Sequence, residues 1–103
     1  MDFLQRNAGR YDKVLLTDVR DVVFQADPFR DELPGEVVAF LESPQMTYGA
    51  EPMNDGWIVE NYNQRMLEQL RSQRISCCGT VAGSLPGMLN YLEKFRNEIA
   101  RLK

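Results

Sequence analysis

Apolar residues along the chain fall into short compact blocks and longer periodic runs, and the spacing within each predicts the element it forms. Val14-Leu15-Leu16 shows no alternation and ends in polar residues, which predicts a first strand covered on both faces, as in α/β sheets. "EVVAFLE", residues 36–42, is apolar and β-branched between Pro34-Gly35 and Ser43-Pro44, and predicts a second strand. "RISCCGTVAGS", residues 74–84, predicts a short third strand running into a glycine-rich turn, where Gly79 and Gly83 supply backbone freedom.

Helical periodicity occupies the intervals. Ile58, Tyr62, Met66 and Leu70 recur at four-residue steps and predict one helix capped by Asn54 or Asp55, with Arg65 and Arg71 on other faces. Met88, Leu92, Phe95, Ile99 and Leu102 alternate four and three residues apart behind Ser84, which predicts a last helix with Ser84 as its cap. That helix is expected to bury Met88, Leu92, Phe95 and Ile99 against the sheet, with Lys94 and Glu98 toward solvent. "DPFRDELPG" reads as a single helical turn with Asp27 as cap and Pro28 at the first helical position. Residues 43–56 carry two prolines and two glycines and read as a long loop, functional or mobile. Strands alternating with helices give an α/β fold class: a small three-stranded sheet with flanking helices. So thin a sheet leaves an uncovered face or edge, which predicts exposed apolar area and a homo-oligomer, in the first instance a homodimer.

Composition narrows the function. A chain of 103 residues suits one small domain, 1–103. Its net charge of −3, with no block of Lys and Arg, excludes a phosphate-backbone interface, so no nucleic acid is expected as partner. No apolar run reaches the roughly 18 to 20 residues that span a bilayer, and the first residues lack a signal-peptide pattern, so the expected location is cytoplasmic. Cys77 and Cys78 are adjacent, and a bridge between neighbours closes a strained ring, which predicts two free thiols packed as small buried hydrophobes. The absence of histidine excludes Ser-His-Asp and Cys-His catalysis and His-bound zinc within this chain.

What chemistry remains rests on carboxylates, hydroxyls and amides. Asp18 and Asp21 follow directly on the first strand, at the edge where open α/β sheets bind ligands. One reading is a solvated turn or cap. The other is a pair of hard oxygen ligands for Mg²⁺ or Mn²⁺ carrying substrate phosphates, with Arg20 adding charge for a diphosphate. "CGTVAGS" before the last helix is either a tight turn or a helix start offering amides to an anion or sugar hydroxyl. Trp57, the only tryptophan, is a sugar-stacking platform or, more commonly at a helix start, a core anchor.

Taken in order, "VLLTDVRDVVFQADPF", "VVAFLE", "NDGWI", "ISCCGTVAGS" and "MLNYLEKF" resemble the central part of nucleotide-diphospho-sugar glycosyltransferases with the GT-A type of fold, from Tyr11 to Leu102. The resemblance implies a partial GT-A-like core in which Asp18 and Asp21 bind a divalent metal, Mn²⁺ or Mg²⁺, that holds a sugar nucleotide. It places Thr17 and Arg20 beside them, and Gly79, Thr80 and Ser84 at the sugar. Glu42, after the second strand, stands as the candidate catalytic base. The family's usual motif is D-x-D, where this chain has D-V-R-D. In such enzymes βα units that bind the base and ribose come first, so the chain is expected to be a fragment of a transferase or a short relative that has lost part of its donor site.

Three functions follow as expectations. The first is metal-dependent sugar transfer, weak or absent in so short a chain. The second is a non-catalytic α/β binding or assembly module. The third, a phosphatase or mutase with Asp18 as nucleophile, lacks that class's lysine-bearing motif.

Overall fold

The computed structural model describes residues 1–102. Seven elements follow in order: α1 (Asp2–Arg6), β1 (Lys13–Thr17), β2 (Val37–Leu41), α2 (Pro52–Asn61), α3 (Gln64–Leu70), β3 (Ser76–Ser84) and α4 (Leu85–Leu102). The strands form one antiparallel sheet in the order β1-β3-β2, so the small α/β fold expected from the sequence is observed. The described residues divide into two compact units, residues 1–39 with 78–102 and residues 40–77, and the division falls inside β2 and β3.

In the first unit, β1 and β3 pair from Lys13 opposite Ser84 to Thr17 opposite Thr80. The ladder continues at both ends, through the Leu85 amide to the Asp12 carbonyl and the Asp18 amide to the Gly79 carbonyl, each 2.9 Å. Ser84 caps α4 as expected, its Oγ accepting from the Gly87 amide at 3.2 Å, while Pro86 sits in the first turn, where its missing N–H leaves no bond unmade. The core of this unit is small: Val81, Ala82, Leu85 and Met88 are its buried apolar side chains. β1 is not covered on both faces, because none of its residues is fully buried and Leu16 is exposed. The apolar stripe of α4 is likewise covered only near its start. Met88 is fully buried, but Phe95 is 54% and Ile99 42% exposed, so the expected burial of those two against the sheet does not occur.

β3 is longer than expected. Ser76–Ser84 is strand throughout, and "GTVAGS" is part of the ladder rather than a turn. Among the described residues no glycine has a positive φ, so Gly83 does not serve by backbone freedom. It serves by having no side chain: a Cβ there would run into the Glu36 carbonyl, to which the Ser84 amide donates at 3.0 Å. The segment after β1 is a turn rather than a helical turn, with the Phe29 amide on Asp27 Oδ1 at 2.8 Å and the Arg30 amide on the Asp27 carbonyl at 3.2 Å.

In the second unit, the single helix expected from Ile58 to Leu70 is two. α2 ends at Asn61, and Asn63, in extended backbone, starts α3 by accepting from the Met66 amide at 2.8 Å. The cap of α2 is Glu51, earlier than the expected Asn54 or Asp55, because Pro52 takes the first helical position. Its carboxylate accepts from the amides of Met53 (3.2 Å) and Asn54 (2.8 Å). Residues 46–49 are tied by main-chain bonds to 71–75, including Tyr48 amide to Gln73 carbonyl and Ile75 amide to Met46 carbonyl. The expected mobile loop is thus pinned along its middle. Leu67 and Ile75 are the buried apolar residues of this unit, and Trp57, 54% exposed, is not a core anchor.

Candidate functional site

The register of β1 and β3 brings residues far apart in sequence to one end of the ladder. Thr17 lies opposite Thr80, and one step on the Asp18 amide is bound to the Gly79 carbonyl. Thr17 Oγ1 donates to the Asp18 carbonyl at 3.2 Å. Beyond that anchor the chain leaves the sheet, and Asp18, Val19, Arg20 and Asp21 line one solvent-open depression of about 640 Å³. All four are exposed, Val19 to 88%.

Four of the candidate residues, Thr17, Asp18, Gly79 and Thr80, therefore meet at the ladder's end, and Arg20 and Asp21 follow in the same depression. The side chains of Asp18, Arg20 and Asp21 form no ion pair or hydrogen bond among the described residues, so Arg20 does not neutralise either acid. Ser84 lies at the other end, opposite Lys13. At about 3.4 Å per residue that is roughly 14 Å from the Thr17–Thr80 pair, and its hydroxyl is engaged as a helix cap. Glu42 belongs to the second unit, where its amide donates to the Ile75 carbonyl at 2.8 Å and its carbonyl accepts from the Arg74 guanidinium. Val19 is a lining residue that sequence reading did not select, and its place between the two acids is the only signal for it.

Two exposed carboxylates with hard oxygen atoms suit a divalent ion of the Mg²⁺ class, which habitually takes one or two carboxylates and completes its shell with water and substrate phosphates. No group of three His, Cys, Asp or Glu side chains that could hold an ion occurs among the described residues, so Asp18 and Asp21 would need further oxygen ligands of another kind.

Cys77 and Cys78 are free, as expected, but neither is fully buried: Cys78 is exposed and Cys77 half-buried. No helix of the described residues is long and apolar enough to cross a membrane. No protein-family model matches the chain, and no curated protein or solved structure does either.

Proposed function

We propose that this chain is a glycosyltransferase-like module that engages the diphosphate of a sugar nucleotide through a Mn²⁺ or Mg²⁺ ion held by Asp18 and Asp21. The observation that carries this reading is the convergence of two unpaired carboxylates and an unpaired guanidinium on one open depression, at the end of a strand fixed by the Asp18–Gly79 bond. When bound, the ion would offset the negative charge of the diphosphate as a leaving group. Arg20 would add a fixed positive charge and up to five donors for phosphate oxygens. Thr17 and Thr80 would offer hydroxyls beside them, and Gly79 holds the main chain of Asp18 in place. Ser84 acts as a helix cap in this reading, and no base is assigned for turnover, so the proposed activity is binding rather than transfer. The free thiols suit a reducing compartment, and the proposed location is the cytoplasm.

The test is a melting or calorimetric titration with Mn²⁺, with and without a uridine diphosphate sugar, of the wild type and an Asp18→Asn, Asp21→Asn double variant. A ligand that binds the folded state raises its stability by RT ln(1 + [L]/Kd), and this increment should appear in the wild type alone. Affinity in the millimolar range is expected for so open a site. Equal responses from the two proteins, or none from the wild type at saturating millimolar ligand, would sink the reading.

A second reading, a non-catalytic assembly module, has its own support. Leu16, Val23, Phe24 and Phe95 of the first unit are exposed, apolar surface that an assembly would cover. On this reading the chain associates with copies of itself.

A further inference from the structure

We propose that the free edge of β1 pairs antiparallel with the β1 edge of a second copy of this chain, Leu15 of each strand lying opposite Leu15 of the other. The inference rests on the assembly reading and gives it a surface and a register. β1 is an outer strand of the sheet, so only one of its two edges is used within the chain. The ladder to β3 fixes which main-chain groups lie on which edge. The Leu85 amide bonds the Asp12 carbonyl and the Asp18 amide bonds the Gly79 carbonyl, each between residues directly opposite in the register, and such bonded pairs recur at every second residue of an antiparallel ladder. Asp12, Val14, Leu16 and Asp18 therefore turn their amides and carbonyls toward β3, while Lys13, Leu15 and Thr17 turn theirs outward. The main-chain groups of those three residues have no hydrogen-bond partner among the described residues. The strand runs one-to-one against β3 without a bulge and holds no proline, so apart from Lys13 at one end nothing in it blunts the edge.

The pattern of open groups selects the occupant. A two-fold axis at Leu15 sets Leu15 against Leu15 and Lys13 against Thr17, so each outward amide of one copy meets an outward carbonyl of the other and none is left over. Sliding one strand by two residues leaves the groups of Lys13 or of Thr17 unmet within the strand, and a parallel pair, with its slanted bonds, is not related by a two-fold. The edge is thus its own complement, which is why a second copy is the occupant. The side chains agree with the main chain. Val14 of one copy falls opposite Leu16 of the other and covers a leucine that is 44% exposed in the single chain. Lys13, the only charged residue of the strand, meets Thr17 rather than another lysine. One contact opposes pairing, because Asp12 of each copy lies opposite Asp18 of the other just beyond the strand ends. That repulsion, and a strand of only five residues, keep the interface well below the roughly 800 Å² a side of a standard one, so association is weak, with a Kd on the order of 100 μM.

Sedimentation equilibrium from about 10 μM to about 1 mM reads this directly, for the wild type, Thr17→Pro and Asp12→Asn, with circular dichroism as the check on folding. Proline at position 17 removes an outward amide and no bond to β3, so the fold of the single chain should persist. The expected result is a wild-type dimer weakened about tenfold or more by Thr17→Pro, and tightened about threefold by Asp12→Asn at low ionic strength. A dimer indifferent to Thr17→Pro overturns the edge while leaving the assembly reading standing, and a wild type that stays monomeric at about 1 mM overturns both. Register is read independently with Leu15→Cys in a Cys77→Ser, Cys78→Ser background. In the proposed register position 15 alone faces its own counterpart, with Cα atoms about 5.5 Å apart, so mild oxidation should cross-link this variant. A dimer that does not cross-link there, or an Asp12→Asn dimer no tighter than the wild type, overturns the register.

Discussion

The carbonyl oxygen of Glu36 occupies the space that a Cβ on Gly87 would fill: a methyl there would stand 2.8 Å from the Glu36 carbonyl carbon and 3.0 Å from its Cβ. Gly83 faces the same carbonyl from β3. Two glycines four residues apart thus admit one strand of main chain against the junction of β3 and α4.

Replacing Gly87 by alanine should therefore destabilise the protein by roughly 1 to 3 kcal/mol, although alanine is the better helix former by about 1 kcal/mol. Gly56, inside α2, is the control, because a Cβ there meets nothing within 4 Å. Gly56→Ala should be neutral to stabilising by up to about 1 kcal/mol, so urea midpoints of the two variants should move in opposite directions.

Met88 and Phe95 lie on one stripe of one helix but should behave differently. Met88 is 0% exposed, and Met88→Ala should cost about 2 to 5 kcal/mol. Phe95 is more than half exposed, and Phe95→Ala should cost under about 1 kcal/mol at concentrations where the chain is monomeric. A comparable loss at both positions, measured by urea denaturation at low micromolar protein, would mean that Phe95 is covered.

Glu51 supplies a pH dependence whose sign follows from its bonds. The Asn54 amide, foremost, then the Asn54 side chain and the Met53 amide hold its carboxyl below the ordinary glutamate value. A depressed folded-state pKa stabilises the protein above the unfolded value and loses that contribution as pH falls through the folded one. Wild type should exceed Glu51→Gln in stability at neutral pH, and the gap should narrow below about pH 4.3. A gap that is constant from pH 7 to pH 3 would show that the cap carries no charge dependence.

Asn63 begins α3 with one side-chain bond, and Asn63→Ala should cost about 1 kcal/mol. Asn63→Asp should retain most of the stability, since aspartate caps equally well. Thermal melts of the two variants at equal concentration distinguish a cap from an incidental contact.

Much of the fold was legible because punctuation in the sequence is local. Pro34-Gly35 and Ser43-Pro44 bracket β2 to within a residue at each end, and Ser84 marks the start of α4. The break between α2 and α3 was not legible, because Ile58, Tyr62, Met66 and Leu70 keep four-residue steps straight across it, and only the extended backbone of Asn63 reveals it. Periodicity says which face of α4 is apolar, not whether anything covers it, which is why Phe95 and Ile99 were expected in a core that ends near Met88. The roles of Gly83 and Gly87 depend on Glu36, some fifty residues away, and nothing local announces it. The candidate site divides the same way: Asp18, Arg20 and Asp21 stand out as neighbours in sequence, whereas their company with Gly79 and Thr80 follows from strand register.

Cys77 and Cys78 stand side by side in β3, and successive strand residues point to opposite faces of a sheet. The pair therefore cannot act as a unit. An alkylating reagent should find the exposed Cys78 at once and the half-covered Cys77 more slowly, at a rate that rises as its surroundings open. One polypeptide so carries a marker of surface and a marker of breathing on adjacent residues, and the ratio of their labelling rates is an internal gauge of how often this strand loosens, with no probe added to the chain.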